Sequence, residues 1–194
     1  MENLENYTRE DLTIGTGTAQ WGALLSFIPF LVLFGIPFFF VYGNTIHIEF
    51  QAQLQENGGG LLFWIVIGSF LVGVIVHELI HGLTWAAFAK NGMKSMKFGI
   101  IWKWLTPYCH CKEPLSVKHY ILGAVMPGII LGILPSIVAV ITGNILWFMW
   151  GMMFTLAAGG DFMIINLLRK QPLNCFIKDH PTKVGCYIYK PVNG

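Results

Sequence analysis

The sequence predicts an α-helical integral membrane protein: four transmembrane helices with a small β-hairpin between the second and the third. Three observations predict it. Only 22 of the 194 residues are charged, or 11%, against about 25% in an ordinary soluble domain. Apolar residues make up 55% of the chain and aromatic ones 14%, more than a soluble domain of this size can hide without exposing large patches. Four apolar stretches each reach the roughly 20 residues of helix that a bilayer requires. The same composition argues against a disordered chain, a nucleic-acid partner (net charge +2) and a disulfide scaffold (four Cys). The length bounds the organisation to a single membrane-embedded domain over residues 1–194.

Each element has its own reason. The first 20 residues are polar and acidic and lack the basic start and short apolar core of a signal peptide, so no cleavage is expected. Span one, residues 21–42, opens on Trp21 and closes on Tyr42, the aromatic anchors of a membrane boundary. Pro29 and Pro37 inside it predict a kink. Asn57-Gly58-Gly59-Gly60 reads as a break before span two, residues 61–89, which is long enough to tilt or protrude. Met96, Phe98, Ile100, Trp102 and Trp104 recur every second residue, a strand with one apolar face. Thr106-Pro107 turns the chain, and Tyr108 to Cys111 makes the return strand. Ser116 is placed to cap span three, residues 119–141, which carries Pro127-Gly128 and Pro135. Span four covers residues 145–168. A short tail, residues 169–194, follows, with one more strand expected over Gly185 to Tyr189.

Charge sets the orientation. No Lys or Arg lies between spans one and two or between spans three and four. With four crossings, all 12 basic residues fall on one side, and the positive-inside rule makes that side the cytoplasm. A multi-pass protein of the cell membrane with both termini cytoplasmic is therefore expected.

Span two contains His77-Glu78-Leu79-Ile80-His81, an HExxH pattern. It arises by chance in about 0.7% of chains of this composition. Residues i and i+4 share a helix face, so the two imidazoles can bind one zinc ion, and Glu78 is placed to take a proton from water. An ionisable residue within a span is costly unless paired or functional, and three in five positions are hard to explain as packing. A catalytic zinc usually takes three protein ligands. The one ionisable residue of span four is Asp161, the 17th residue from Ile145, as His77 is the 17th from Leu61. Both spans run in the same direction, so the two groups should lie at similar depth, toward the cytoplasmic half. Ala157-Ala158-Gly159-Gly160 lets the helices approach closely. Asp161 is read as the third ligand, with a hydrogen bond to a ligand imidazole as the alternative. Cys109, His110 and Cys111 form a competing cluster. Cys109 and Cys111 read as incidental thiols on one strand face, while His110 is an alternative third ligand or a transition-state donor. Cys175 and Cys186 read as structural thiols, His47 and His180 as exposed residues, and His119 as a helix-end residue.

Together these pieces resemble a known family. His77-Glu78-Leu79-Ile80-His81, Tyr108-Cys109-His110 with Glu113-Pro114-Leu115-Ser116, Met126-Pro127-Gly128 and Gly160-Asp161 look like the core of site-2-protease-type intramembrane metalloproteases. They are closer still to the zincin peptidase family of small bacterial membrane proteins. The resemblance spans about residues 61–190. It implies zinc held by His77, His81 and Asp161, with Glu78 as the catalytic base. The expected function is hydrolysis of peptide bonds in or near the membrane. The expected partners are a membrane protein or peptide substrate and the bilayer, with no nucleic acid. Two other classes stay open: a catalytically silent scaffold or adaptor that keeps zinc for stability, and a divalent-cation transporter. The substrate and the oligomeric state are not legible.

Overall fold

The structure, a computed structural model, describes residues 6–102, 106–180 and 182–192. It is mostly helical, with two small sheets. Strand β1 (Tyr7–Ile14) precedes α1 (Thr16–Phe30), which continues through a π-helical turn, Leu31–Gly35, into α2 (Ile36–Tyr42). After α3 (Ile46–Asn57) and α4 (Gly59–Ala86) comes the hairpin of β2 (Met96–Ile101) and β3 (Thr106–Cys111). The short strand β4 (Leu115–Ser116) leads into α5 (Val117–Pro127). A second π-helical turn, Gly128–Ile133, joins it to α6 (Leu134–Thr142). Helices α7 (Ile145–Ala157) and α8 (Gly159–Leu168) and strands β5 (Phe176–Asp179) and β6 (Val184–Pro191) complete the fold.

Three rods are long and apolar enough to cross a membrane: Thr16–Tyr42, Gly59–Ala86 and Val117–Thr142. The prolines of the first and third bend the helix without ending it. Pro37 and Pro135 cannot donate to the carbonyls of Leu33 and Leu131, and their rings press on those carbonyls. In both rods that carbonyl falls inside the π-helical turn, where the wider coil accommodates it. Within the most apolar stretch of each rod, 44% of the third is buried but only 17% and 11% of the first and second. The third is therefore the central helix. The others turn side chains such as Phe40, Trp64 and Ile75 outward.

The expected fourth span, residues 145–168, is not one helix. It bends by 45° at Ala158, between α7 and α8. The region before span two also differs from expectation. It carries α3, and of the three glycines only Gly58, at φ +68°, breaks the chain, since Gly59 already begins α4. The β2–β3 hairpin lies where it was expected, with Phe98 opposite Cys109 and Met96 opposite Cys111. Lys103 and Trp104, the expected end of its first strand, lie outside the described residues. Ser116 occupies the N-cap position of α5, but its hydroxyl bonds no helix amide and lies 2.9 Å from Nδ1 of His119.

Of the second sheet, which runs in the order β1-β6-β5-β4, only one strand was expected. Here Tyr7–Ile14 pairs antiparallel with Val184–Pro191, so the two ends of the chain lie side by side. The strand expected near Gly185 is this β6. A core of Trp85, Met96, Leu115, Tyr120, Leu168, Ile177 and Ile188 joins the sheet to α4, α5 and α8. His180, read from the sequence as exposed, is buried. Its Nδ1 accepts from the amides of Thr182 (3.1 Å) and Lys183 (2.9 Å), because the chain folds back over it into β6.

Candidate metal centre

Helix α4 presents His77 and His81 inward, 7% and 4% exposed, with their rings 4.9 Å apart. Across from them the break at Ala158 starts a new helix, and Asp161 stands in its first turn. The break works because Gly159 packs against the backbone of α1, where a Cβ would come within 2.7 Å of the Ala23 carbonyl oxygen. The Asp161 carboxylate then meets both imidazoles. Oδ2 lies 3.2 Å from Nε2 of His77, and Oδ1 lies 3.3 Å from Nε2 of His81. The ligand atoms of the three residues all fall within 4.8 Å of one another. The depth arithmetic thus placed these groups together, although the fourth rod is bent.

The donor set fits a zinc ion. Two ligand atoms bound about 2.0–2.1 Å from a tetrahedral ion stand about 3.3–3.4 Å from each other, close to the two distances seen here. Nδ1 of His81 donates to the carbonyl of Gly123 at 2.9 Å, so in the neutral ring Nε2 is the lone pair and faces Asp161. Such a second hydrogen bond is how proteins orient a metal-binding imidazole. Among the described residues, Nδ1 of His77 is the one buried side-chain nitrogen or oxygen with no protein partner.

Behind the site runs an aromatic column. The ring of His81 stacks on Trp85 (5.0 Å, 14°) and Trp85 on Tyr120 (5.1 Å, 26°), while the Trp85 indole donates to the Tyr120 carbonyl at 3.0 Å. Gly123 makes room for this column, since a Cβ there would meet the Trp85 indole nitrogen at 2.0 Å. The Tyr120 hydroxyl donates to Asp179 of β5, which also accepts the Cys111 amide at 2.9 Å.

Half-buried Glu78 follows His77 on α4, the helix on which the β2–β3 hairpin packs. Gly82 allows that packing; a Cβ there would lie 2.5 Å from the Phe98 ring and 3.3 Å from the Cys109 sulfur.

Cys109 and Cys111 are buried and unpaired. Burial, and then the negative charges of Glu78 and Asp179, push the Cys109 thiol up to about 12; burial pushes Cys111 to about 11. Both thiols lie in the core that joins the hairpin to α4 and α5, as packing residues do. His110 falls between them in the alternation, packs on Tyr108 at 4.5 Å and is not among the three converging residues. Burial also raises the Asp179 carboxyl, opposed by the nearby His110 and by the hydrogen bonds from Tyr120 and Cys111. Asp179, Tyr120 and Gly123 escaped the sequence reading. Trp85, four residues beyond His81 on the same helix face, was the one supporting residue that the periodicity could have found.

A helix carrying two inward imidazoles, a neighbouring glutamate and a carboxylate facing both imidazoles makes a candidate metal centre. The chain belongs to the family described as "Putative zincin peptidase", whose model matches residues 70–176 and so takes in the whole of this constellation. The chain is also 28% identical over 142 residues to a protein of Pyrococcus woesei described as "Uncharacterized 24.7 kDa protein in gap 5'region". The match covers 72% of this chain and 62% of that relative's length. No solved structure matches.

Proposed function

We propose that the protein is a zinc-dependent intramembrane metallopeptidase that hydrolyses peptide bonds of a membrane protein or peptide in or near the bilayer. The observation that carries this reading is the Asp161 carboxylate placed 3.2–3.3 Å from both Nε2 atoms of the HExxH pair. His77, His81 and Asp161 would hold the ion. Zinc, when bound, supplies Lewis acidity toward water and toward a scissile carbonyl.

Glu78 does the proton work. Its carboxylate takes the proton of the attacking water and gives it to the leaving amine. His81 is held in the correct tautomer by the Gly123 carbonyl and in the correct plane by Trp85. An extended substrate would pair with the outer edge of β2, as the next strand of the hairpin sheet about 4.8 Å away. In the bilayer the three rods and the bent α7–α8 pair make four crossings of the cell membrane. The basic residues and both termini face the cytoplasm.

The test is Glu78→Gln in protein reconstituted into liposomes with fluorescence-quenched transmembrane peptides. Cleavage should fall about 10²–10⁴-fold while zinc stays bound at one ion per chain. A scaffold that keeps zinc only for stability would show no difference between the two proteins. A carrier would move zinc across the liposome and continue to do so in the variant.

A further inference from the structure

We propose that the protein carries a binding site for the phosphate headgroup of an anionic glycerophospholipid, between the cytoplasmic ends of spans two and three. The proposal rests on the membrane-spanning reading above but not on catalysis. A cavity of about 490 Å³ opens there, with Phe88, Lys90, Ser116, Lys118, His119 and Phe176 on its walls. Among the described residues, neither the Lys90 nor the Lys118 ammonium has a carboxylate partner.

The one acid on the wall, Glu113, is turned to other work. Its oxygens accept the Lys90 amide (2.8 Å), the Asn91 side-chain amide and the Ser95 hydroxyl (2.7 Å), which ties down the turn after α4. His119 is held rigidly. Its ring stacks face to face on Phe88 at 4.0 Å and 8°, and its Nδ1 lies 2.9 Å from the Ser116 hydroxyl. Among the described residues Nε2 is left without a protein partner. Two lysines and an oriented imidazole thus line the cavity together with the Phe88 and Phe176 rings.

Position selects the occupant. The cavity lies where α4 ends and α5 begins, the level at which a cytoplasmic leaflet presents its phosphates. One turn deeper on α5, Leu122 is exposed, as is Leu83 on α4, and these offer acyl chains an apolar path. Basic pockets between spans on this side of a membrane suit anionic lipid headgroups. A free phosphate would use the cations but not this apolar continuation.

The experiment reconstitutes the full chain and its Lys90→Ala/Lys118→Ala variant into nanodiscs of phosphatidylcholine with phosphatidylglycerol. Lipid retained after transfer to detergent is counted by native mass spectrometry. The wild type should keep phosphatidylglycerol in preference to phosphatidylcholine, and the double variant should lose that preference by about 30-fold. Equal retention by both proteins overturns the proposal. Displacement of the lipid by millimolar inorganic phosphate also overturns it, in favour of a free-anion site. Lys90→Arg/Lys118→Arg should restore retention; failure to do so, with an unchanged melting temperature, sinks the headgroup assignment. Glu78→Gln should retain lipid like the wild type, which separates this outcome from the fate of the peptidase reading.

Discussion

Asp161 faces the Nε2 atoms of both imidazoles, an arrangement that suits a cation between them. The charge should therefore matter more than the shape. Asp161→Asn should lower the zinc content of the purified protein severalfold, measured by elemental analysis, while Glu78→Gln leaves it unchanged. Ordinary arithmetic on the sequence reached these four residues, because i,i+4 spacing and depth along parallel spans are local quantities. Asp179 was out of reach. It meets Tyr120 across 59 positions and the Cys111 amide across 68, and no periodicity links residues that a long-range sheet brings together. The buried thiols carry a pH signature of their own. Burial raises Cys109 and Cys186 from 9.0 to about 12 and Cys111 to about 11. The folded chain then holds these protons more tightly than the unfolded one. Their contribution to stability is complete below about pH 9 and drains away as the pH climbs toward 11–12. The melting temperature should fall between pH 9 and pH 11, and thiol reagents should label the folded protein slowly at pH 8.

At the scale of elements, the position of Asp161 depends on how closely α7 and α8 approach the third rod. That contact is built from small residues. A Cβ on Gly132 would lie 2.5 Å from the Thr155 hydroxyl and 3.0 Å from its backbone nitrogen; one on Gly128 would lie 2.8 Å from the Phe162 ring. Ser136 and Thr155 turn their hydroxyls onto carbonyls of their own helices, those of Gly132 (2.8 Å) and Gly151 (2.7 Å). The interface therefore stays apolar and close. Gly132→Val should push α7 away and lower the melting temperature, at a cost of about 1–3 kcal/mol, and zinc content should fall with it. Gly68→Ala, where a Cβ meets nothing within 4 Å, is the control and should be neutral. The long apolar rods were legible because their length alone identifies them. The bend at Ala158 was not, since Ala-Ala-Gly-Gly reads equally as a tight helix contact and as a helix end. Helix α3 was hidden by its glutamines and glutamates, which dilute its few apolar residues.

At the scale of the whole molecule, the pairing of β1 with β6 bears on topology independently of charge. Two segments joined residue by residue, from Tyr7 with Pro191 to Ile14 with Val184, cannot lie on opposite sides of a membrane. On the membrane-spanning reading proposed above, the number of crossings is then even. Reporter fusions at both termini should give the same, cytoplasmic, signal. A cysteine introduced at Asn144, between α6 and α7, should be labelled from outside. β1 escaped the sequence reading because half of its residues are exposed, none is buried, and its alternation is weak. The same pairing has a consequence for biogenesis. Ile14 and Val184 pair across 170 positions, so the β1–β6 ladder can close only once all the helices between them have been made. Its closure also orders β5, which pairs with β6 and brings Asp179 to the Cys111 amide of the hairpin and to the Tyr120 hydroxyl. Completion of the sheet and completion of the support behind His81 therefore coincide.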